Sequence, residues 1–260
     1  MEISLTDCII LTHAYVEPDQ KYKLEPIEFA ARHARQNNPH SYIILAGHGL
    51  KPDIDPGVCD FIYWEDQINR KDINVGHPRL CNIAYDHAES KGFEKILKTR
   101  ADSIHLIENL IPHCDKLLGN KKLLVTQQTT IDRQQIGDLF LYGDLEFIKK
   151  CWNINTWYPT NTGVKSLAKN FISAVAEQDW HDACVNNLSF VDIYNLKWVC
   201  LQKNWEEVSQ KSDNVMKNIL PNWHNHLWGS KQKWHIWDAD GNLIYSKPKV
   251  GTITTEKDWK

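Results

Sequence analysis

The stretch Phe93-Glu94-Lys95-Ile96-Leu97-Lys98-Thr99-Arg100-Ala101-Asp102 decides how this chain is read. Gly92 closes whatever comes before it, and a short apolar run then ends in two cations and a lone carboxylate. Short apolar runs bounded by turn residues fit strands of a parallel sheet buried on both faces. In such sheets ligands bind at the carboxyl ends of the strands. Asp102, following Lys98 and Arg100, stands where it could hold a divalent metal and the phosphates that metal carries. Magnesium and manganese take oxygen ligands, often one or two carboxylates plus substrate phosphates. The same residue also reads as a salt-bridge partner of Arg100, or as an acid at the start of a helix. The residues leave these readings side by side.

The pattern extends upstream. Cys8–Thr12 is a first strand, and Leu24–Asn37 is a helix with Leu24, Ile27, Ala31 and Ala34 on one face. Ser41–Leu45 is a second strand, closed by Gly47 and Gly49, and Asp60–Trp64 is a third. His77–Lys91 is a helix with Leu80, Ile83, Ala84 and Ala88 inward and Gly92 as its stop. Strand and helix alternating over about 100 residues specify an α/β fold with a mainly parallel sheet flanked by helices.

Downstream, Ser103 is expected to cap a helix through Ile104, Ile107 and Ile111 that breaks at Pro112. Lys122–Thr126 and Ile136–Gly143 read as strands, and Asp144–Trp152 as a helix. Val164–Val175 is an amphipathic helix that delivers Glu177-Gln178-Asp179 at its end. Eight of the eleven tryptophans lie at or beyond position 180, and Trp234–Tyr245 reads as a hairpin. No repeat or linker divides the chain. It is taken as one domain, 1–260, with a nucleotide-binding half, 1–130, and an acceptor half with a C-terminal α+β extension, 131–260.

Bulk composition narrows the class. With 260 residues, 42% hydrophobic and 24% charged, the chain can bury a sizeable core. A net charge of −3 argues against a general nucleic-acid binder. The seven cysteines (Cys8, Cys59, Cys81, Cys114, Cys151, Cys184, Cys200) are scattered and form no CxxC pair, so reduced, mostly buried thiols and a cytoplasmic protein are expected. The first residues lack a basic signal region, and no apolar run reaches membrane-spanning length; peripheral membrane contact stays open. Neither a GxGxxG nor a GxxxxGK[ST] phosphate loop is present.

Four ordered blocks resemble a known family. Gly76-His77-Pro78-Arg79-Leu80-Cys81-Asn82-Ile83, then Ile96-Leu97-Lys98-Thr99-Arg100-Ala101-Asp102, then Ile136-Gly137-Asp138-Leu139-Phe140-Leu141-Tyr142-Gly143, then Ala176-Glu177-Gln178 are similar to the WavE family of lipopolysaccharide-synthesis proteins. That family has a glycosyltransferase-A type fold, and the likeness covers about residues 76–180. It implies a glycosyltransferase with a nucleoside-diphosphate sugar donor, a glycan or glycolipid acceptor and a Mn2+ or Mg2+ cofactor. Asp102 would take the metal and diphosphate role, with Arg79, Arg100 and Lys98 holding the donor. Asp138 would sit near the transferred sugar, and Glu177 would be the base toward the acceptor hydroxyl, work suited to a carboxylate. Thr12 and His13 are placed on the donor side although Thr12-His13-Ala14 departs from the QGP-like turn that the family carries after its first strand. Asp66, near the end of the third strand, is a second carboxylate that could share the metal. This chain departs from the family in having Ala176 for the proline before the Glu-Gln pair, and Gly137 for the serine before Asp138.

Two other patterns carry less. Asp238-Ala239-Asp240 has the DxD spacing of many glycosyltransferase metal sites, but Asp240-Gly241 between apolar-aromatic arms is a hairpin-turn signal. His224-x-His226 and His181-x-x-Cys184 have no second pair at zinc spacing. The rivals to glycosyl transfer are a nucleotidyltransferase on a related fold and a non-catalytic carbohydrate-binding protein that uses the late tryptophans.

Overall fold

A computed structural model describes residues 7–18, 21–66, 73–105, 107–126, 136, 140–156, 163–176, 179–191, 198–200, 220–224, 233–237 and 243–248. Its centre is a seven-stranded sheet in the order β3-β2-β1-β4-β7-β6-β8. The strands are β1 (Asp7–Val16), β2 (Ser41–Gly49), β3 (Phe61–Glu65), β4 (Lys95–Arg100), β6 (Leu123–Thr126), β7 (Phe140–Asp144) and β8 (Leu188–Val191). β1 pairs in parallel with both β2 and β4, and β2 with β3. Only β7 reverses, lying antiparallel to β4 and β6, while β8 is parallel to β6. The expected mainly parallel α/β sheet is therefore present, with one antiparallel strand inside it.

Side chains alternate across each strand, so each face builds its own core. Cys8, Ile10, Ile44, Ala46 and Ile96 pack with Leu80, Cys81, Ala84, Tyr85 and Ala88 of helix α2 (Ile73–Ser90). Ile9, Leu11, Ile43, Leu45 and Leu97 pack with Ile27 and Ala31 of helix α1 (Leu24–Asn37). Helix α3 (Leu110–Leu118) extends that second face through Leu110, Ile111, Cys114 and Leu118. Asn38 ties the two helices together: its amide nitrogen donates to the Ala34 carbonyl at 3.1 Å and its side-chain oxygen accepts from Leu110 N at 2.9 Å. Helix α4 (Leu145–Cys151) starts on Asp144, whose carboxylate accepts from Phe147 N. Helices α5 (Gly163–Val175) and α6 (Trp180–Asn187) follow and pack against each other.

The helix expected from Ser103 is not there. Residues Ser103–His105 form strand β5, antiparallel to β9 (Trp198–Cys200), and the Ser103 hydroxyl donates to the Arg100 carbonyl at 3.0 Å instead of capping a helix. The helix begins at Leu110. Pro112 lies in its first turn, where a missing N–H costs nothing, and does not end it.

Strands β10 (Leu220–His224), β11 (Lys233–Trp237) and β12 (Leu243–Pro248) form a separate antiparallel sheet. β11 and β12 are the two arms of the expected hairpin; Asp238 and Asp240 between them lie outside the described residues. Cys8, Cys59, Cys81, Cys114, Cys151 and Cys184 are thiols, not disulfides, all buried except the partly exposed Cys59. No helix among the described residues is long and apolar enough to cross a membrane.

Candidate functional site

The charged residues of the four parallel strands meet at their carboxyl ends. Arg100, Thr12, Ala46 and Tyr63 form one row across β4, β1, β2 and β3; His13, Gly47 and Trp64 form the next, and His48 and Glu65 the last. Alternation puts Lys98, Arg100, Ala46, His48 and Glu65 on the face that α2 covers, so they meet His77 and Arg79 from the start of that helix.

Arg100 and Asp102 form a forked pair. Arg100 Nε donates to Asp102 Oδ1 at 2.6 Å, and Nη2 donates to Oδ2. The Asp102 side chain is 0% exposed and that of Arg100 is 25% exposed. The turn that carries the acid is pinned to its neighbours. Ala101 N donates to the Thr12 carbonyl at 2.8 Å, and the Thr12 hydroxyl donates to the Thr99 carbonyl at 3.3 Å. Thr12 thus serves the site by fastening β1 to the turn after β4.

A second braced arginine lies at the β3 edge. Glu65 accepts from the Arg79 guanidinium and from the Tyr63 hydroxyl, and His48 Nδ1 lies 3.3 Å from its Oε2. Tyr63 titrates above its ordinary range, chiefly because of that hydrogen bond to Glu65. The other nitrogen of His48, Nε2, is 3.1 Å from the Gly76 carbonyl in α2. Burial lowers the pKa of His48, while the Gly76 carbonyl and Glu65 pull it back up. Asp66, the acid expected here, is exposed at the bend after β3.

Histidines and a buried lysine fill the space between. His13 is buried, and burial pushes its pKa down to about 4 against the opposing pull of Asp102. His77 is held well below its ordinary value by burial and then by Lys98. Lys98 itself is 1% exposed, with Nζ 5.1 Å from the centre of the Trp152 ring. His77 meets the same indole edge-on at 5.6 Å, and Asn82 of α2 donates to the Trp152 carbonyl at 2.8 Å. Lys98 is therefore an interior cation over an aromatic face, a contact that gains strength when desolvated.

No family profile and no curated protein matches this chain. The solved structures to which this chain is similar include two transferases. One is a glycosyltransferase involved in the glycosylation of the major capsid of PBCV-1: TM-score 0.48, 13% identity, with 79% of this chain and 100% of that chain covered. The other is named as a nucleotide-diphospho-sugar transferase from Desulfovibrio desulfuricans G20: TM-score 0.39, 9% identity, with 80% of this chain and 90% of that one covered. Likeness at this level carries no argument, so fold and chemistry are read from the chain's own residues.

Those residues do not offer Asp102 to a metal as they stand. Both of its oxygens are engaged by the guanidinium of Arg100, and its side chain is fully buried. A magnesium-like ion needs open octahedral space and usually keeps several waters. The metal-capable group among the described residues is elsewhere: Asp179, His181 and Asp182, all exposed, with ligand atoms within 4.8 Å of one another. Asp179 there already caps α6, accepting from Asp182 N at 3.0 Å. Asp138 and Glu177 lie outside the described residues; Phe140, two positions after Asp138, pairs with Thr99 of β4.

Glu65, His48, His77 and Trp152 were missed in the sequence. Glu65 had a usable signal, because strand alternation puts it on the same face as Tyr63. His48, His77 and Trp152 come together only through packing of α2 and α4 on the sheet, which no local pattern reveals.

Proposed function

We propose that this chain is a glycosyltransferase of the glycosyltransferase-A type, which takes a nucleoside-diphosphate sugar and transfers the sugar to a hydroxyl of a glycan or glycolipid of the lipopolysaccharide or polysaccharide kind. The observation that carries this is the pair of arginines, Arg79 and Arg100, each fixed by a carboxylate at the carboxyl edge of the parallel strands. Guanidinium groups held in place suit a diphosphate, which they can grip through paired hydrogen bonds. The ordered sequence blocks around both arginines support the sugar chemistry.

In the reaction an acceptor hydroxyl attacks the anomeric carbon, the bond from that carbon to the diphosphate oxygen breaks, and nucleoside diphosphate departs. Charge develops on the leaving diphosphate, and fixed donors aimed there lower the barrier most. Arg100 and Arg79 supply them. Glu177 takes the hydroxyl proton, and Asp138 faces the oxocarbenium-like sugar; both roles follow from the sequence resemblance.

The test is a panel of nucleoside-diphosphate sugars, with release of nucleoside diphosphate followed in the presence of glycan or glycolipid acceptors. One donor should be turned over, with kcat/KM falling by about 10- to 100-fold in Arg79→Ala, whose side chain is half-exposed and can be removed without opening the core. Turnover that is unchanged in Arg79→Ala and Arg100→Ala would refute the assignment of the donor site.

A further inference from the structure

We propose that Asp102 is a positioning residue and not a metal ligand: its buried carboxylate aims the Arg100 guanidinium at the donor diphosphate, which is gripped without a metal at this position. The inference rests on the nucleotide-sugar reading above and specifies how that site holds charge.

Three observations lead here. The first is the forked contact, with Nε and Nη2 of Arg100 placed on the two oxygens of Asp102. Such a fork fixes the plane and direction of the guanidinium, which a single contact does not. It uses two of the five guanidinium N–H donors. The second is the gradient of exposure. The acid is 0% exposed and the base 25%, so the pair is rooted in the interior and the cation emerges from it. A carboxylate that binds a hydrated metal and substrate phosphates would instead keep an oxygen open toward them. The third is that the turn is held from both sides, by Ala101 N on the Thr12 carbonyl and by the Ser103 hydroxyl on the Arg100 carbonyl. The backbone on either side of Asp102 is thereby fixed, and it presents the carboxylate to the guanidinium of Arg100. The same design recurs at the β3 edge, where Glu65, 18% exposed, braces Arg79, 49% exposed.

The experiment is calorimetric titration of UDP, GDP, CDP and ADP into the full chain, once with EDTA and once with excess Mn2+. One nucleotide should bind in both buffers with Kd differing by less than about threefold. Asp102→Asn should weaken it by about tenfold in both buffers, Arg100→Lys by a similar factor, and the double variant no further than Arg100→Lys alone. That lack of additivity marks a residue acting through Arg100. Binding that appears only with Mn2+, with Asp102→Asn abolishing the metal effect, would overturn the proposal and leave the donor site standing. Absence of binding by any of the nucleotides in either buffer would overturn both. If Asp102→Asn does not fold, the comparison of EDTA with Mn2+ on the unaltered chain and on Arg100→Lys still decides.

Discussion

Gly47→Ala is a sharp probe of how the carboxyl edge is built. Gly47 lies in β2 between His13 of β1 and Trp64 of β3. A methyl group added there would sit 2.8 Å from Trp64 Cε3 and closer still to Cζ3 and Cη2. The indole therefore lies across this glycine, and it is held in place by Trp64 Nε1 donating to the Gly49 carbonyl at 2.9 Å. With alanine the ring must move. Overpacking of this kind costs about 1–3 kcal/mol, and losing the indole hydrogen bond adds about 1 kcal/mol. The total is about 2–4 kcal/mol, which lowers Tm by about 5–15 °C for a chain of this size. Thermal unfolding followed by circular dichroism reads the shift. The same alanine in a Trp64→Leu background should cost almost nothing more, because the clashing ring is gone. A shift below about 2 °C in the otherwise unaltered protein would refute this account of the edge.

Two further outcomes follow from buried groups. His13 and His33 both titrate near about 4 because of burial, below the ordinary 6.5. The unfolded chain then binds more protons than the folded one between those values, so stability is full above about 6.5 and is lost as pH falls toward 4. At 1.36 kcal/mol per pH unit the loss is about 3 kcal/mol per histidine at most; a urea midpoint that does not fall between pH 7.5 and pH 4.5 would contradict it. Tyr142 donates to Asp115 Oδ1 at 2.7 Å, and Lys95 donates to the same oxygen at 2.8 Å, joining α3 to β7 and β4. Tyr142→Phe should cost about 1 kcal/mol, read as a lower urea midpoint at an unchanged slope, since Lys95 still serves the acid.

What could be read from the chain follows the range of the interactions involved. β1, α1 and β2 announce themselves through apolar runs and periodicity within ten to fifteen residues, and α1 begins and ends at Leu24 and Asn37 as expected. β5 could not be recognised that way. Its partner β9 lies more than 90 residues further on, and Ser103-Ile104-His105 looks locally like the start of a helix. The site shows the same division. Arg79, Lys98, Arg100 and Asp102 stand out as charges at a strand end or helix start. Their relations do not: Lys98 is turned inward over Trp152, and Glu65, not its neighbour Asp66, meets Arg79. From sequence Asp102 reads equally as a metal ligand, a partner of Arg100 or an acid at a helix start, and spacing cannot separate these because all three need the same carboxylate at the same strand end.

The short pairing of β5 with β9 has a consequence for how the protein is made. Ser103, the residue directly after Asp102, hydrogen-bonds across to the row of Cys200. During synthesis the first four strands of the sheet can leave the ribosome and pack, yet the segment following the arginine brace waits for its partner until about 100 more residues have emerged, roughly 5–20 s later at usual elongation rates. Over that interval the nascent chain carries a sheet whose edge is assembled but not locked, and a later stretch of translation, not the first, pairs the segment that follows Asp102.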